Sequence, residues 1–325
     1  MCHCEELWRR SNLSRFGQHT SLPVGRQDCR AQLGLGLAND KNNYSNTLVN
    51  MNIRKSDNSE QKFLDEKLIG SFCRLGVPPN EACVMVDSIK KELKPYPKTS
   101  DVFKSASKKL FEHNRRIGLR YNLKNAIMQL GPSGHPFEEY IGDILTVKGY
   151  ETKVSQIVRG ACVTHEVDVI ARTDSRHIMV ECKFHNAPGT KSDVQVALYT
   201  HARFMDIRKA DENKPEHEKA VHEQWLVTNT QCTTDAIAYA RCAGLKILAW
   251  RYPSEGGLEK FIEDEKFFPV TIFPMPMQAK AFLIKNGITL VREIMQMPEE
   301  RLSRDLGLKK NVVRAIQRDA RLLCS

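Results

Sequence analysis

Residues 163–184 read VTHEVDVIARTDSRHIMVECKF. Two runs rich in Val, Ile and Met flank a short polar stretch, the pattern of a β-hairpin. Val167, Val169 and Ile170 in the first run, and Ile178, Met179 and Val180 in the second, leave little polar surface, so both strands read as buried. Within that apolar frame stand two acids, Asp168 and Glu181, and an ammonium, Lys183. A turn at Thr173-Asp174-Ser175-Arg176 opposes Arg172 to His177, and counting back along both strands opposes Asp168 to Glu181. Directly opposed residues share a face with Cβ atoms about 5 Å apart. Period-two alternation puts Lys183 on the same face as Glu181. A slip of one residue would destroy the pairing, so the expectation rests on the register.

Two carboxylates at that separation repel, and charges inside a sheet are costly to bury. A hard divalent cation reverses the sign of the problem, because carboxylate oxygens are the ligands that Mg²⁺ prefers. An ammonium beside such a site can assist an attacking water and counter charge developing on a phosphoryl oxygen. The competing reading is a surface hairpin with an incidental Glu181–Lys183 salt bridge. The apolar neighbours weigh against it.

The rest of the chain extends the hairpin into a larger pattern. From 131 to 275, PFEEYIGDILTVKGY reads as an amphipathic helix, YETKVSQIV as a strand and SDVQVALYTHARFMDIRK as a helix. QWLVTNT, TDAIAYARCAG and LKILAW follow as strand, helix (closed by Gly244) and strand. This alternation predicts an α/β sandwich around a central mixed sheet. Residues 51–130 are helical in pattern: Phe63, Leu64, Leu68, Phe72 and Leu75 recur at helical spacing before a Gly76 C-cap, and Asn80 is a candidate N-cap for the next helix. Residues 276–325 read as three helices with GIT and LGLKK turns.

At 325 residues, with 41% hydrophobic and 27% charged residues, the composition is globular and the length suits several domains. The net charge of +10 favours a polyanionic partner. The excess is concentrated in two segments, 101–130 with seven basic residues against two acids and 276–325 with ten against five. Ten cysteines need not be disulfides in a chain this long: Cys162, Cys182, Cys232 and Cys242 sit in apolar or helical surroundings, as small buried hydrophobes do. With no secretory signal or bilayer-spanning run in view, the expected location is a reducing cytoplasm, with no membrane partner. Residues 1–50, rich in Asn, Ser, Gly and Arg, read as a disordered leader, with Met51 a candidate working start. Cys2-His3-Cys4 lacks the second ligand pair that a zinc site needs, and His165 and His185 have no partners at zinc spacing either.

Asp168 followed by Glu181-Cys182-Lys183, after a helix carrying Phe137-Glu138, resembles the PD-(D/E)xK nuclease superfamily and within it the Mrr-like restriction endonucleases. Val167-Asp168 stands in place of Pro-Asp. The resemblance covers about 131–255 and implies that Glu138, Asp168 and Glu181 hold Mg²⁺, that Lys183 assists the attacking water, and that Gln195 lies near the active site. Glu138 is the better first-helix acid than Glu139: the helix buries Phe137, Ile141, Ile144 and Leu145, with Glu138 at the edge of that face and Glu139 nearly opposite it. Glu166, on the same strand face as Asp168, could assist the metal or face solvent.

KSDNSEQKFLDEKLIGSFCRLGVPPNEACVMVDSIKKEL, with TSDVF and RYNLKNAIMQLGP, resembles an ATP-cone, a small nucleotide-binding regulatory domain. It implies that Arg54, Lys55 and Lys67 meet the phosphates of ATP or dATP, with Asn58 standing where the family has Gly. GITLVREIMQMPEERLSRDLGLKKNVVRAIQRDARLL resembles a helix-hairpin-helix or SAM-like module, in which Gly307 would present backbone N–H groups to a DNA phosphate and Lys309, Lys310 and Arg314 would add charge. A protein-interaction or dimerisation cap is the other reading of these helices.

The expected organisation is therefore a leader (1–50), a helical ATP-cone-like domain (51–130), a restriction-endonuclease-like α/β sandwich (131–275) and a small all-α tail (276–325). The expected activity is nucleotide-regulated, Mg²⁺-dependent cleavage of DNA, with a homo-oligomer compatible with the pattern. The alternatives are a non-catalytic, nucleotide-responsive DNA-binding protein on a nuclease scaffold, and a structure-specific or RNA nuclease.

Overall fold

The computed structural model describes residues 51–55, 58–211 and 221–325. The leader, Cys2-His3-Cys4, and Ser56 and Asp57 lie outside them. The described chain divides into two compact units between Phe103 and Lys104.

The first unit opens with an antiparallel pair, β1 (Asn52–Arg54) and β2 (Glu60–Lys62). In the turn between them, Asn58 has φ +63° and its N–H reaches Lys55 O at 3.1 Å. Asn tolerates this left-handed conformation better than most residues, so it can serve where a relative has Gly. Two helices follow, α1 (Asp65–Arg74) and α2 (Pro79–Glu92). Phe72, Val77, Ala82, Val86 and Ile89 are buried between them, as the helical spacing requires. Gly76, at φ +98°, ends α1 as expected. Asn80 does not cap α2: Pro78 holds the N-cap and Pro79 the first turn, where a missing N–H costs nothing.

The second unit begins within α3 (Thr99–His113) and continues through α4 (Arg115–Tyr121) and α5 (Leu123–Met128) to α6 (His135–Val147). Next come β3 (Glu151–Arg159), β4 (Thr164–Thr173), β5 (Arg176–Lys183) and a short β6 (Lys191–Ser192). Helix α7 (Val194–Asp211) precedes β7 (Val221–Thr228) and β8 (Gln231–Cys232). Helix α8 (Thr234–Ala243), capped by Gly244 at φ +68°, leads to β9 (Lys246–Leu248). The chain closes with α9 (Leu258–Glu265), a 3₁₀ turn (Val270–Ile272) and helices α10 (Met277–Lys285), α11 (Val291–Gln296), α12 (Glu299–Leu306) and α13 (Lys310–Cys324).

The central sheet runs β3-β4-β5-β7-β9, antiparallel through β5 and parallel from β5 to β9, the mixed sheet that the alternation predicts. The β4–β5 hairpin has the expected register, with Arg172 paired to His177 and Thr173 to Arg176 around Asp174-Ser175. One face packs Val169, Ala171, Ile178 and Val180 against Phe137, Tyr140, Ile141 and Ile144 of α6. On the other, Ile170 and Met179 meet Phe204 and Ile207 of α7, and Leu226 meets Ala197, Ala236 and Ala240. Burial on both faces explains why the hairpin reads as nearly continuous apolar runs.

The core on the α6 side continues from Leu119 to Leu323 and takes in α4, α5 and the last four helices, so the sequence-drawn limits at 130 and 275 fall inside it. Polar contacts stitch the same elements together. Arg115 Nη2 donates to Asp319 Oδ2 at 2.6 Å, and Lys280 donates to Gln129 Oε1 and Thr271 O, both at 2.7 Å. Three of the seven basic residues of 101–130 are engaged this way: Arg115 with Asp319, Arg120 with Glu263, and Lys124 over the Trp250 ring. The expected solvated positive face is reduced accordingly. Cys182 and Cys232 are buried as expected, but Cys162 and Cys242 are exposed, on a turn and on the outer side of α8.

Tyr140 is fully buried, and its hydroxyl donates to Phe267 O at 2.6 Å, joining α6 to the segment after α9. Tyr140→Phe leaves that carbonyl without its partner and should cost about 1–3 kcal/mol in urea unfolding, with the secondary structure unchanged by circular dichroism.

Candidate active site

The β4–β5 ladder ends at Val169 and Val180, one pair before Asp168 and Glu181. At that fork the Asp168 carboxylate takes over from the backbone: Oδ2 accepts the N–H of Cys182 at 2.7 Å. Asp168 is thus fixed between the two strands, and Glu181 is the residue in register with it. Lys183, half-buried, is the last residue of β5 and pairs with Thr228 of the neighbouring parallel strand.

The two acids feel each other. Burial, then the nearby Glu181 charge, pushes the Asp168 carboxyl up to about 7 against the pull of the Cys182 N–H. Burial also raises Glu181, opposed by Arg203 and Lys183. Glu138, in the first turn of α6, adds a smaller repulsion to both. Its carboxylate is held by His135 Nδ1 at 3.3 Å and by the Ser155 hydroxyl at 3.4 Å. Ser155 itself has φ +52°, an uncommon conformation for a residue with a Cβ, and falls in β3 at the register position facing Asp168. Glu139 lies 3.4 Å from His135 Nε2. The electrostatics therefore separate the two α6 acids as the helical phase does, with Glu138 acting on the pair.

Arg203 on α7 had no signal in the sequence, since a single Arg on a helix has no diagnostic spacing. Its Nη1 lies 2.7 Å from Glu181 Oε2, with both side chains largely buried. Nη1 also donates to Glu166 O at 2.6 Å, and the guanidinium sits 4.7 Å from the centre of the Tyr199 ring. Beside this contact, Arg203 Nε is buried and lacks a hydrogen-bond partner among the described residues. Among the described residues no three His, Cys, Asp or Glu side chains are gathered as a ready metal cluster. Arg203 draws Glu181 one way while His135 and Ser155 hold Glu138 another.

The other expected residues fall as follows. Gln195 is exposed in the first turn of α7 and makes no hydrogen bond to the acids or Lys183. Glu166 is exposed and meets Arg203 through its carbonyl. His165 pairs with Asp206 at 2.8 Å, and His185 Nε2 lies 2.9 Å from Ser192 Oγ, so each is engaged elsewhere. Arg54, Lys55 and Lys67 are exposed on the first unit. Gly307 has φ +64°, but its N–H bonds Arg304 O and that of Leu308 bonds Ser303 O. These two groups close the end of α12 and are not free for a phosphate, which corrects the expectation for this turn. Lys310 pairs with exposed Glu300 at 3.2 Å and Arg314 with half-buried Glu299 at 2.8 Å, while Lys309 is the exposed N-cap of α13.

Residues 131–251, which carry this constellation, match the profile of a restriction endonuclease family. An uncharacterized protein of Archaeoglobus fulgidus is 35% identical over 178 residues, 55% of this chain and 96% of its own length. The chain belongs to that protein's family. In this chain, residues 131–251 form a restriction-endonuclease-like domain built on the mixed sheet. Among solved structures, a protein of unknown function is similar at 32% identity with a TM-score of 0.47, over 58% of this chain and 97% of the other. The MspJI restriction endonuclease, solved with a 27-mer oligonucleotide, is similar at 10% identity and a TM-score of 0.26, over 69% of this chain and 41% of its own. No described helix is long and apolar enough to cross a membrane.

The raised acid pKa values set a pH dependence. An unfolded Asp titrates near 4, so between about 4 and 7 the native metal-free protein binds more protons than the unfolded chain. Its stability should therefore fall as pH rises through this window and level off above it. Asp168→Asn should flatten the fall and raise stability at pH 8 by on the order of 1–3 kcal/mol, read from urea midpoints in EDTA.

Proposed function

We propose that this protein is an endonuclease that hydrolyses DNA phosphodiester bonds with the help of a divalent cation. The observation that carries the reading is the buried Asp168–Glu181 pair, whose mutual repulsion suits a hard cation. Asp168 and Glu181 would hold Mg²⁺, with Glu138 as the third acid, and the ion would polarise the phosphoryl group. Lys183 stands at the end of the same strand, where its ammonium orients the attacking water and offsets charge growing on a phosphoryl oxygen. Asp168 is anchored by the Cys182 N–H, so its carboxylate needs little reorganisation when the substrate arrives.

Lys309, Lys310 and Arg314 would bind the DNA backbone. The Lys310–Glu300 ion pair is exposed and worth little, so exchanging it for phosphate is inexpensive. Such contacts position a duplex without reading its sequence. Supercoiled plasmid with Mg²⁺ should be nicked or linearised by the purified protein. Asp168→Ala and Lys183→Ala should each lower the rate by about 10²-fold or more. Equal rates for all three proteins would dismiss the catalytic reading and leave a DNA-binding protein on a nuclease scaffold.

The first unit is proposed as a nucleotide-binding regulator. Support comes from the exposed Arg54, Lys55 and Lys67 and from the turn in which Asn58 takes a conformation suited to Gly. Equilibrium dialysis should show retention of ATP or dATP at millimolar concentration, reduced in Lys55→Ala; no retention of either would remove the effector.

A further inference from the structure

Arg203 is the closest cation to the carboxylate pair and has no place in the chemistry proposed above. It is nonetheless within 2.7 Å of Glu181 Oε2. A buried ion pair recovers its desolvation cost only when all its polar groups are satisfied, and Arg203 Nε is buried without a hydrogen-bond partner. The guanidinium does not depend on Glu181 for its position: Glu166 O and the Tyr199 ring hold it independently. One turn further along α7, Asp206 accepts the N–H groups of Cys162 at 2.8 Å and Val163 at 3.2 Å, and pairs with His165. The helix backbone is thereby pinned to the β3–β4 turn, so any release of Glu181 must come from the side chain alone. Beside the pair, Glu181, Thr200, Arg203, Phe204 and Gln224 line a cavity of about 20 Å³, room for one water to follow the guanidinium as it moves.

We infer that Arg203 is the resident counter-cation of this site: it neutralises Glu181 in the metal-free protein, and a divalent cation must displace it from Glu181 Oε2 to bind. The inference rests on the metal reading of Asp168 and Glu181 proposed above. Its consequence is a threshold. The site stays closed to cations at low concentration and the fold is spared an uncompensated pair of buried acids. The sign of one substitution separates this role from a scaffold role. A residue that merely positions Glu181 as a ligand weakens metal binding when removed; a competitor strengthens it.

The test is calorimetric titration of the full chain with MnCl₂ at pH 7.5, in the absence of nucleic acid. Wild type should bind and Asp168→Asn should not. Arg203→Gln should bind at least about tenfold more tightly than wild type, because a positive charge beside the ligand is gone, and should melt at a lower temperature in EDTA. Tyr199→Ala removes only an exposed ring beneath the guanidinium and should tighten binding by about threefold, which keeps the inference testable if Arg203→Gln does not fold. Equal or weaker binding by these variants, with wild-type binding intact, overturns the role of Arg203 and leaves the metal reading standing. Failure of wild type and variants alike to bind Mn²⁺ overturns both.

Discussion

The repulsion between two buried carboxylates at the fork of the β4–β5 hairpin is the constraint around which the rest of this structure is arranged. Unit charges some 5 Å apart cost on the order of 3 kcal/mol even at an effective dielectric constant near 20, a large fraction of the stability of an ordinary domain. The fold tolerates the pair through three devices. Asp168 receives the Cys182 N–H, Glu181 receives the guanidinium of Arg203, and the pair shares the field of Lys183. None of them removes the strain, since burial and the Glu181 charge still push the Asp168 carboxyl well above its ordinary range. A site kept under such tension in the metal-free protein is one whose relief can drive cation binding.

The same economy of charge runs through the second unit. Its basic residues look like a surface resource in the amino-acid sequence, yet several are committed to internal contacts. Arg115 holds Asp319 of the final helix, Arg120 holds Glu263, and Lys124 lies over Trp250 with its pKa lowered by burial to about 8. These pairs join the helices before the sheet to the helices after it, so the final helices are built into the core of the nuclease fold.

The hairpin, its register, the mixed sheet and the helical phase that favours Glu138 over Glu139 were all legible in the sequence, because each follows from a local period: two along a strand, 3.6 along a helix. The Gly244 and Gly76 caps were legible for the same reason, since a left-handed backbone at a helix end is a requirement of one residue. Period does not reveal how far an apolar face extends, so the boundary between the nuclease sheet and the last four helices was drawn where the core is continuous. It is equally silent on which backbone N–H groups are already spoken for, which is why the Gly307 turn looked open to a phosphate.

What the sequence indicated by itself is the pairing of Asp168 with Glu181 and the place of Lys183 beside it, which follow from strand alternation once the turn is set at Asp174-Ser175, as it is here. The tertiary structure alone decided the partners of that pair. Arg203 lies more than 20 residues from Glu181 in the chain and arrives only because α7 packs across the face of the sheet through Phe204 and Ile207. Glu138 is held by His135 and by Ser155 from another strand. Side-chain partners of this kind depend on the distance and angle between packed elements, which no local period encodes.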